Sequence, residues 1–260
     1  MEMPLIRRRR ALSSQDARDV RQRGHDDAKA FAKAIGLPRD YHNDPHQKKD
    51  VIDLSGDPHS VKSGQKKWQI FLYGLGRFQS DDAFRTMNGI GDILVECINS
   101  FQPSYDEYQK NKVDAKERLR DPMRRLASKL QDKARLRTFL NKSLFDGGEG
   151  YYLTIKHDGH FHVFWGKEVV KVLSDNLEVC NSRAISAGQF PEQKVLFRYE
   201  GKNLGELEMR NDSRTHYREI RFNMLKPRVM ALLFSKIVQV TGHNALVSSH
   251  GKATRRFWRW

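Results

Sequence analysis

The chain has 260 residues, 38% of them hydrophobic, with 47 Lys plus Arg against 32 Asp plus Glu, a formal charge of +15. That length can bury a substantial core, and that charge makes a polyanion the default partner. No apolar run approaches the roughly 20 residues that cross a bilayer, and no apolar segment follows the basic cluster at residues 7–10, so a membrane-spanning chain is excluded and a cytoplasmic one expected.

Apolar residues Val20, Ala28, Phe31, Ala32 and Ile35 recur at helical spacing between Ser13 or Ser14 and Gly36, which predicts a helix over 14–36. Residues 49–63 read as a β-hairpin, with Val51, Ile52 and Leu54 before a turn at 55–58. The run 68–73 (WQIFLY) fits a buried strand or the start of a buried helix. Phe84, Met87, Ile90, Ile93, Leu94, Cys97 and Ile98 predict an amphipathic helix within 81–100, and the charged stretch 106–142 predicts two helices divided by Pro122. Residues 146–150 read as a joint. Beyond it, strands are predicted at 151–157 and 160–165 around Asp158-Gly159, at 194–200 and 204–209, and at 216–222. Pro227 opens a helix through Val240, before a basic and aromatic tail at 255–260. Cys97 and Cys180 are too few for a disulfide framework and read as reduced thiols in or near the core.

The sharpest constellation of chemistry-bearing residues lies in the first hairpin. Nine residues separate Asp50 from Ser60, so paired antiparallel strands would bring Asp50 and Lys62 to one end. A carboxylate and an ammonium together suit phosphodiester hydrolysis, where one holds a divalent cation and the other positions water. The alternative is a cross-strand ion pair on an exposed hairpin. The segment resembles the PD-(D/E)xK nuclease signature of type II restriction endonucleases, in the variant with Ser60 at the usual acidic position before x-Lys62. It departs from that signature in having no proline before Asp50. The resemblance implies a mixed α/β fold with a restriction-endonuclease-like central sheet flanked by helices. It also implies catalytic roles for Asp50, Ser60 and Lys62, and Mg²⁺ held by Asp50 with help from Asp53 or Asp27. A homodimer cutting both strands of double-stranded DNA follows.

Further candidates lie outside the hairpin. Glu206 and Glu208 alternate onto one strand face and suit a metal pair or salt bridges to Arg198, Arg210 or Arg221. Arg210, Asn211 and Arg214 suit base edges and phosphates, while Arg124, Arg125 and Lys129 suit a phosphate-tracking helix face. His157, His160 and His162 lack the spacing of a zinc site, and His42 and His46 only faintly suggest an HNH-like nuclease. No phosphate-binding glycine loop is present, so no nucleotide cofactor is expected. The expected organisation is residues 1–148 as a helical region with the catalytic core and 149–260 as a β-rich recognition half. The expected function is site-specific DNA cleavage. The alternative is a non-catalytic basic DNA- or RNA-binding protein, such as a replication or transcription factor.

Overall fold

The computed structural model of the chain describes residues 14–38, 51–64, 66–85, 87–148, 151–184 and 190–259. The first helix, α1 (Ser14–Ala34), is stopped by Gly36, which adopts the left-handed conformation with φ +80°. The first hairpin forms as read, with β1 (Val51–Ile52) paired antiparallel to β2 (Pro58–Lys62) in the register Val51↔His59 and Ile52↔Pro58. The ambiguous run becomes a strand, β3 (Lys67–Gly74), whose Trp68 and Phe71 are buried.

The helical stretch that follows departs from the sequence reading twice. The helix expected over 81–100 is broken by positive φ at Asn88 and Gly89. After α2 (Leu75–Ser80) it therefore splits into α3 (Asp82–Arg85) and α4 (Ile90–Asn99). After α5 (Tyr105–Lys110), Pro122 does not divide the charged region, because α6 (Lys112–Gln131) runs through it. Ala115, Leu119, Met123, Leu126 and Leu130 form a continuous buried stripe on both sides of the proline, and tertiary burial outweighs the lost backbone hydrogen bond. The division falls at Asp132, whose side chain caps α7 (Lys133–Phe145) by accepting from the Arg135 amide at 2.9 Å.

The hairpin of β4 (Tyr152–His157) and β5 (His160–Trp165) turns at Asp158 and Gly159, both with positive φ. Next come α8 (Gly166–Asn176), which the sequence reading did not anticipate, and β6 (Glu178–Asn181). They lead into the meander of β7 (Lys194–Tyr199), β8 (Lys202–Asn211) and β9 (Tyr217–Leu225). Helix α9 (Lys226–Lys236) carries Pro227 in its first turn and ends before Val240, where the chain enters β10 (Val240–Asn244) and then β11 (Val247–His250).

These strands make a mixed sheet in the order β1-β2-β4-β5-β11-β10 and an antiparallel sheet in the order β3-β9-β8-β7-β6. The chain is thus mixed α/β, and both sheets draw strands from either side of position 148. In the mixed sheet β2 runs parallel to β4 and β11 parallel to β5. Both faces of its central hairpin are covered. Leu153, Ile155 and Phe164 enter the large core shared with α4, α6, α7, α8 and the antiparallel sheet. Tyr152, Phe161 and Val163 enter a second core with Phe31, Val51, Val247 and Phe257. No described helix is long and apolar enough to cross a membrane.

The junction between β5 and α8 is tight. The Gly166 amide donates to the Tyr151 carbonyl at 2.7 Å, and a Cβ built at Gly166 would lie 2.5 Å from that oxygen. Gly166→Ala should therefore destabilise the chain by roughly 1–3 kcal/mol through forced backbone movement, read as a lower urea midpoint with an unchanged m-value.

Candidate functional site

The turn between β1 and β2 is built by Asp53. Its Oδ1 accepts the amides of Ser55 and Asp57, each at 2.9 Å, and its own amide donates to the Asp57 carbonyl at 3.0 Å. Its Oδ2 lies 3.4 Å from Nε2 of fully buried His59, whose Nδ1 is 2.8 Å from Thr154 Oγ1. Burial lowers the His59 pKa despite the nearby Asp53 and Asp57 carboxylates, so the ring is neutral and shares hydrogen bonds rather than charge. The Tyr152 hydroxyl donates to Asp57 at 3.4 Å, and burial together with Asp53 raises the Asp57 pKa. This network faces the second core, where Phe31, Tyr152 and Phe257 surround His59.

Strand alternation sends Ser60 and Lys62 to the other face. They pair in register with Leu153 and Ile155, which point into the large core. Both line a cavity of about 390 Å³ whose walls include Tyr73, Arg77, Lys142, Ser143, Asp146 and Tyr151. Behind it, two cations and two carboxylates close a ring. Arg77 lies 2.9 Å from Asp81 and 3.4 Å from Asp146, and Lys142 lies 3.0 Å from Asp81 and 2.7 Å from Asp146. Burial alone would depress the Lys142 pKa, but its hydrogen bonds to Asp146 and Asp81 outweigh that and raise it. Burial alone would raise Asp81, and the Lys142 and Arg77 contacts hold it below its ordinary value instead. Lys142 and Arg77 also stack over Phe84 and Tyr73 at 5.4 and 5.1 Å. Arg77 Nε and Ser143 Oγ are buried and without a hydrogen-bond partner, a donor and a hydroxyl positioned for a ligand oxygen.

Of the carboxylates expected to hold Mg²⁺, the two that are described, Asp53 and Asp27, are not at this cavity. Asp53 serves the turn on the opposite face, Asp27 on α1 accepts from Lys156 Nζ at 2.6 Å, and Asp50 lies outside the described residues, as do His42 and His46. Among the described residues no three His, Cys, Asp or Glu side chains converge to hold a metal ion.

The candidate DNA-contacting residues are engaged within the fold. Arg210 makes two bonds to Asp212 at 2.9 and 2.6 Å, Asn211 donates to the Tyr108 hydroxyl at 2.7 Å, and Arg214 pairs with Asp106 at 2.7 Å. On α6, Arg124 and Arg125 share Asp121 at 2.7 and 2.8 Å, Arg125 also meets Glu96, and Lys129 donates to the Asn88 carbonyl at 3.1 Å. Glu206 and Glu208 do share a face, where they bind cations. Lys194 reaches them at 3.1 and 2.5 Å, Lys67 reaches Glu206 at 2.5 Å, and Arg221 bonds Glu208. Arg77 and Lys142 escaped the sequence reading, although Lys142 interrupts the apolar positions Phe139, Leu140, Leu144 and Phe145 of α7, which is a legible irregularity.

Comparison with protein-family models, curated proteins and solved structures finds no match.

Three further histidines, His160, His162 and His250, cluster between β5 and β11. His162 Nδ1 lies 3.0 Å from His250 Nε2, and His160 Nε2 lies 2.9 Å from Ser248 Oγ. Burial first, and then neighbouring charge, lowers both pKa values to about 4, His162 facing His250, His160, His157 and Lys226, and His250 facing His160. Because the folded values lie below the ordinary 6.5, the unfolded chain binds protons first as pH falls. The stability from these neutral rings is full above pH 6.5 and is lost as pH falls toward 4. Thermal melts across that range should show the decline, and His250→Phe should flatten it.

Proposed function

We propose that the chain is an endonuclease for double-stranded DNA, built on a restriction-endonuclease-like mixed core, with the cavity around Ser60 and Lys62 as its site. The observation that carries this reading is the shared face of Ser60 and Lys62 on β2, opening into a cavity walled by Arg77 and Lys142. Arg77 Nε and Ser143 Oγ, buried without a partner, are the groups there that can meet a phosphate oxygen. The carboxylates of Asp81 and Asp146 hold Arg77 and Lys142 in fixed positions, so little reorganisation is needed when charge develops. In this reading Lys62 neutralises charge growing on the phosphate oxygens as water adds to phosphorus and the leaving oxygen departs. Ser60 offers a hydroxyl to the same phosphate. Asp50, to which the resemblance assigns Mg²⁺, lies outside the described residues, and no step is routed through the metal. Cutting both strands of a duplex calls for two copies related by its dyad, so the reading includes a cytoplasmic homodimer.

A non-catalytic DNA- or RNA-binding protein is the second reading, favoured by the lack of a converging metal-ligand group among the described residues. One experiment separates the two. Wild-type protein incubated with supercoiled plasmid and Mg²⁺ should nick it, and Lys62→Ala should slow nicking by about 10²–10³-fold, the scale of losing one preorganised charge contact. Retardation of duplex by Lys62→Ala should stay within a few-fold of wild type. Undiminished cleavage by Lys62→Ala removes this cavity as the site, and salt-sensitive retardation by wild type without any product favours the binding module.

A further inference from the structure

The C-terminal sequence, a basic and aromatic mixture, is not a loose tail. A 3₁₀ turn at Gly251–Arg255 follows β11 directly, with Gly251 at φ +55°. A Cβ there would lie 2.4 Å from both Glu168 Oε2 and Ile237 Cγ2, so only glycine lets the chain pass this close to α8. Glu168 Oε2 then accepts the Lys252 amide at 2.8 Å. Ala253 and Phe257, four residues apart, are buried in the second core, which leaves Lys252, Arg255, Arg256 and Arg259 exposed.

These four cations line one cavity of about 600 Å³ together with Trp165 and Gln239. Two of them lie over the ring of Trp165, Arg256 at 4.5 Å and Lys252 at 5.6 Å from its centroid, with Lys167 at 6.0 Å. Among the described residues no carboxylate lines this cavity. An adjoining cavity of about 490 Å³ extends the basic lining through Lys167, Lys171 and Lys236. Its acids are engaged, Asp175 by Lys171 and Arg137, and Glu168 by the Lys252 amide.

The decisive observation is the contrast with nine other arginines of the chain. Arg77, Arg118, Arg120, Arg124, Arg125, Arg137, Arg210, Arg214 and Arg221 each hold a carboxylate. Lys252, Arg255, Arg256 and Arg259 converge with no salt bridge to a described carboxylate, and Arg256 has a longer-range attraction to the Asp57 carboxylate. Like charges brought together with so little counter-charge oppose folding, and attraction to one indole face offsets only part of that repulsion. A bound polyanion removes it. The basic lining spans two adjoining cavities, a length suited to successive phosphates rather than to one, and arginine forks match phosphate oxygens in pairs.

We propose that the pocket of Trp165, Lys252, Arg255, Arg256 and Arg259 is a nucleic-acid contact that takes the phosphodiester backbone, separate from the Ser60 and Lys62 cavity. Trp165 pairs with Tyr152 and packs against the second core, on the face of the mixed sheet opposite Ser60 and Lys62. The site therefore stands whether or not the chain cleaves DNA.

The test uses the full chain carrying Lys252→Gln, Arg255→Gln, Arg256→Gln and Arg259→Gln together, titrated with fluorescein-labelled duplex and with single-stranded DNA across a salt series. Each lost phosphate contact should reduce the steepness of log K against log salt by about 0.9 for duplex. The fourfold variant should thus show a slope shallower by about 3–4 and at least about tenfold weaker binding at low salt. Arg124→Gln with Arg125→Gln, which removes carboxylate-paired cations, should leave the slope unchanged. Circular dichroism melts verify folding, and if the fourfold variant is unfolded the single Arg255→Gln and Arg259→Gln variants are read, each expected to shift the slope by about 0.9. A change confined to duplex or to single strand identifies which nucleic acid supplies the backbone. An unchanged slope in folded variants overturns the proposal, and so does inorganic pyrophosphate competing as well as DNA per phosphate, since the pocket would then hold a small phosphate.

Discussion

The strand pair β4 and β5 is sealed on both faces, and nearly everything else about the molecule depends on that constraint. Successive residues of a strand point to opposite sides, so a shift of one position would exchange the contents of two cores. Leu153 and Phe164 belong to one, Tyr152 and Val163 to the other. The register is thereby fixed, and it passes to β2 through the parallel pairing of His59 with Tyr152 and Lys62 with Ile155. His59 can be neutral, buried and hydrogen-bonded on one side only because its neighbour Ser60 faces the cavity on the other.

The charge of the chain is distributed by the same logic. Most of the arginines that looked like a nucleic-acid surface are occupied, several within one helix turn. Asp121 with Arg124 and Arg125, or Asp114 with Arg118, sits at spacings of three and four residues, so these ion pairs lie along α6 itself. Such exposed pairs add little stability, typically below about 1 kcal/mol, but they remove positive potential from the surface they cover. One place where cations converge without a lining acid among the described residues is beside Trp165. A formal +15 is therefore a poor guide to where a polyanion would sit.

Much of this was legible beforehand. The β4–β5 hairpin is written in Asp158-Gly159, the β1–β2 hairpin in its alternation and turn residues, and the end of α1 in Gly36. The shared face of Ser60 and Lys62 follows from their separation by one residue. What could not be read is whatever depends on partners distant in sequence. Pro122 looked like a boundary because its local cost is plain, whereas the buried stripe that carries α6 through it is visible only once the helix is packed. Helix α8 follows β5 without a turn, so Val169, Val170 and Leu173 had no punctuation to announce them. The Arg77, Asp81, Lys142 and Asp146 ring joins two segments, 77–81 and 142–146, and Asp53 looked like a candidate ligand until its carboxylate was seen closing its own turn. The i,i+3 and i,i+4 pairs of α6 were readable from spacing and would have lowered the weight given to Arg124 and Arg125.

The two parallel pairings of the mixed sheet also bear on how quickly the chain can reach this arrangement. The hydrogen bond between His59 and Thr154 spans 95 residues and that between His162 and His250 spans 88. Loop closure must precede the contacts that reward it, so topologies dominated by such pairings fold slowly. The β4–β5 hairpin needs only a two-residue turn and can form as soon as both strands exist. The strands on its flanks, β2 on one side and β11 on the other, must then find it from opposite ends of the sequence. Until they do, both edges of the hairpin are open for pairing, and a nascent chain in that state would be vulnerable to association with its own copies. The cations that crowd the surface repel those copies during that interval, which gives the net charge a use in folding that is independent of any ligand.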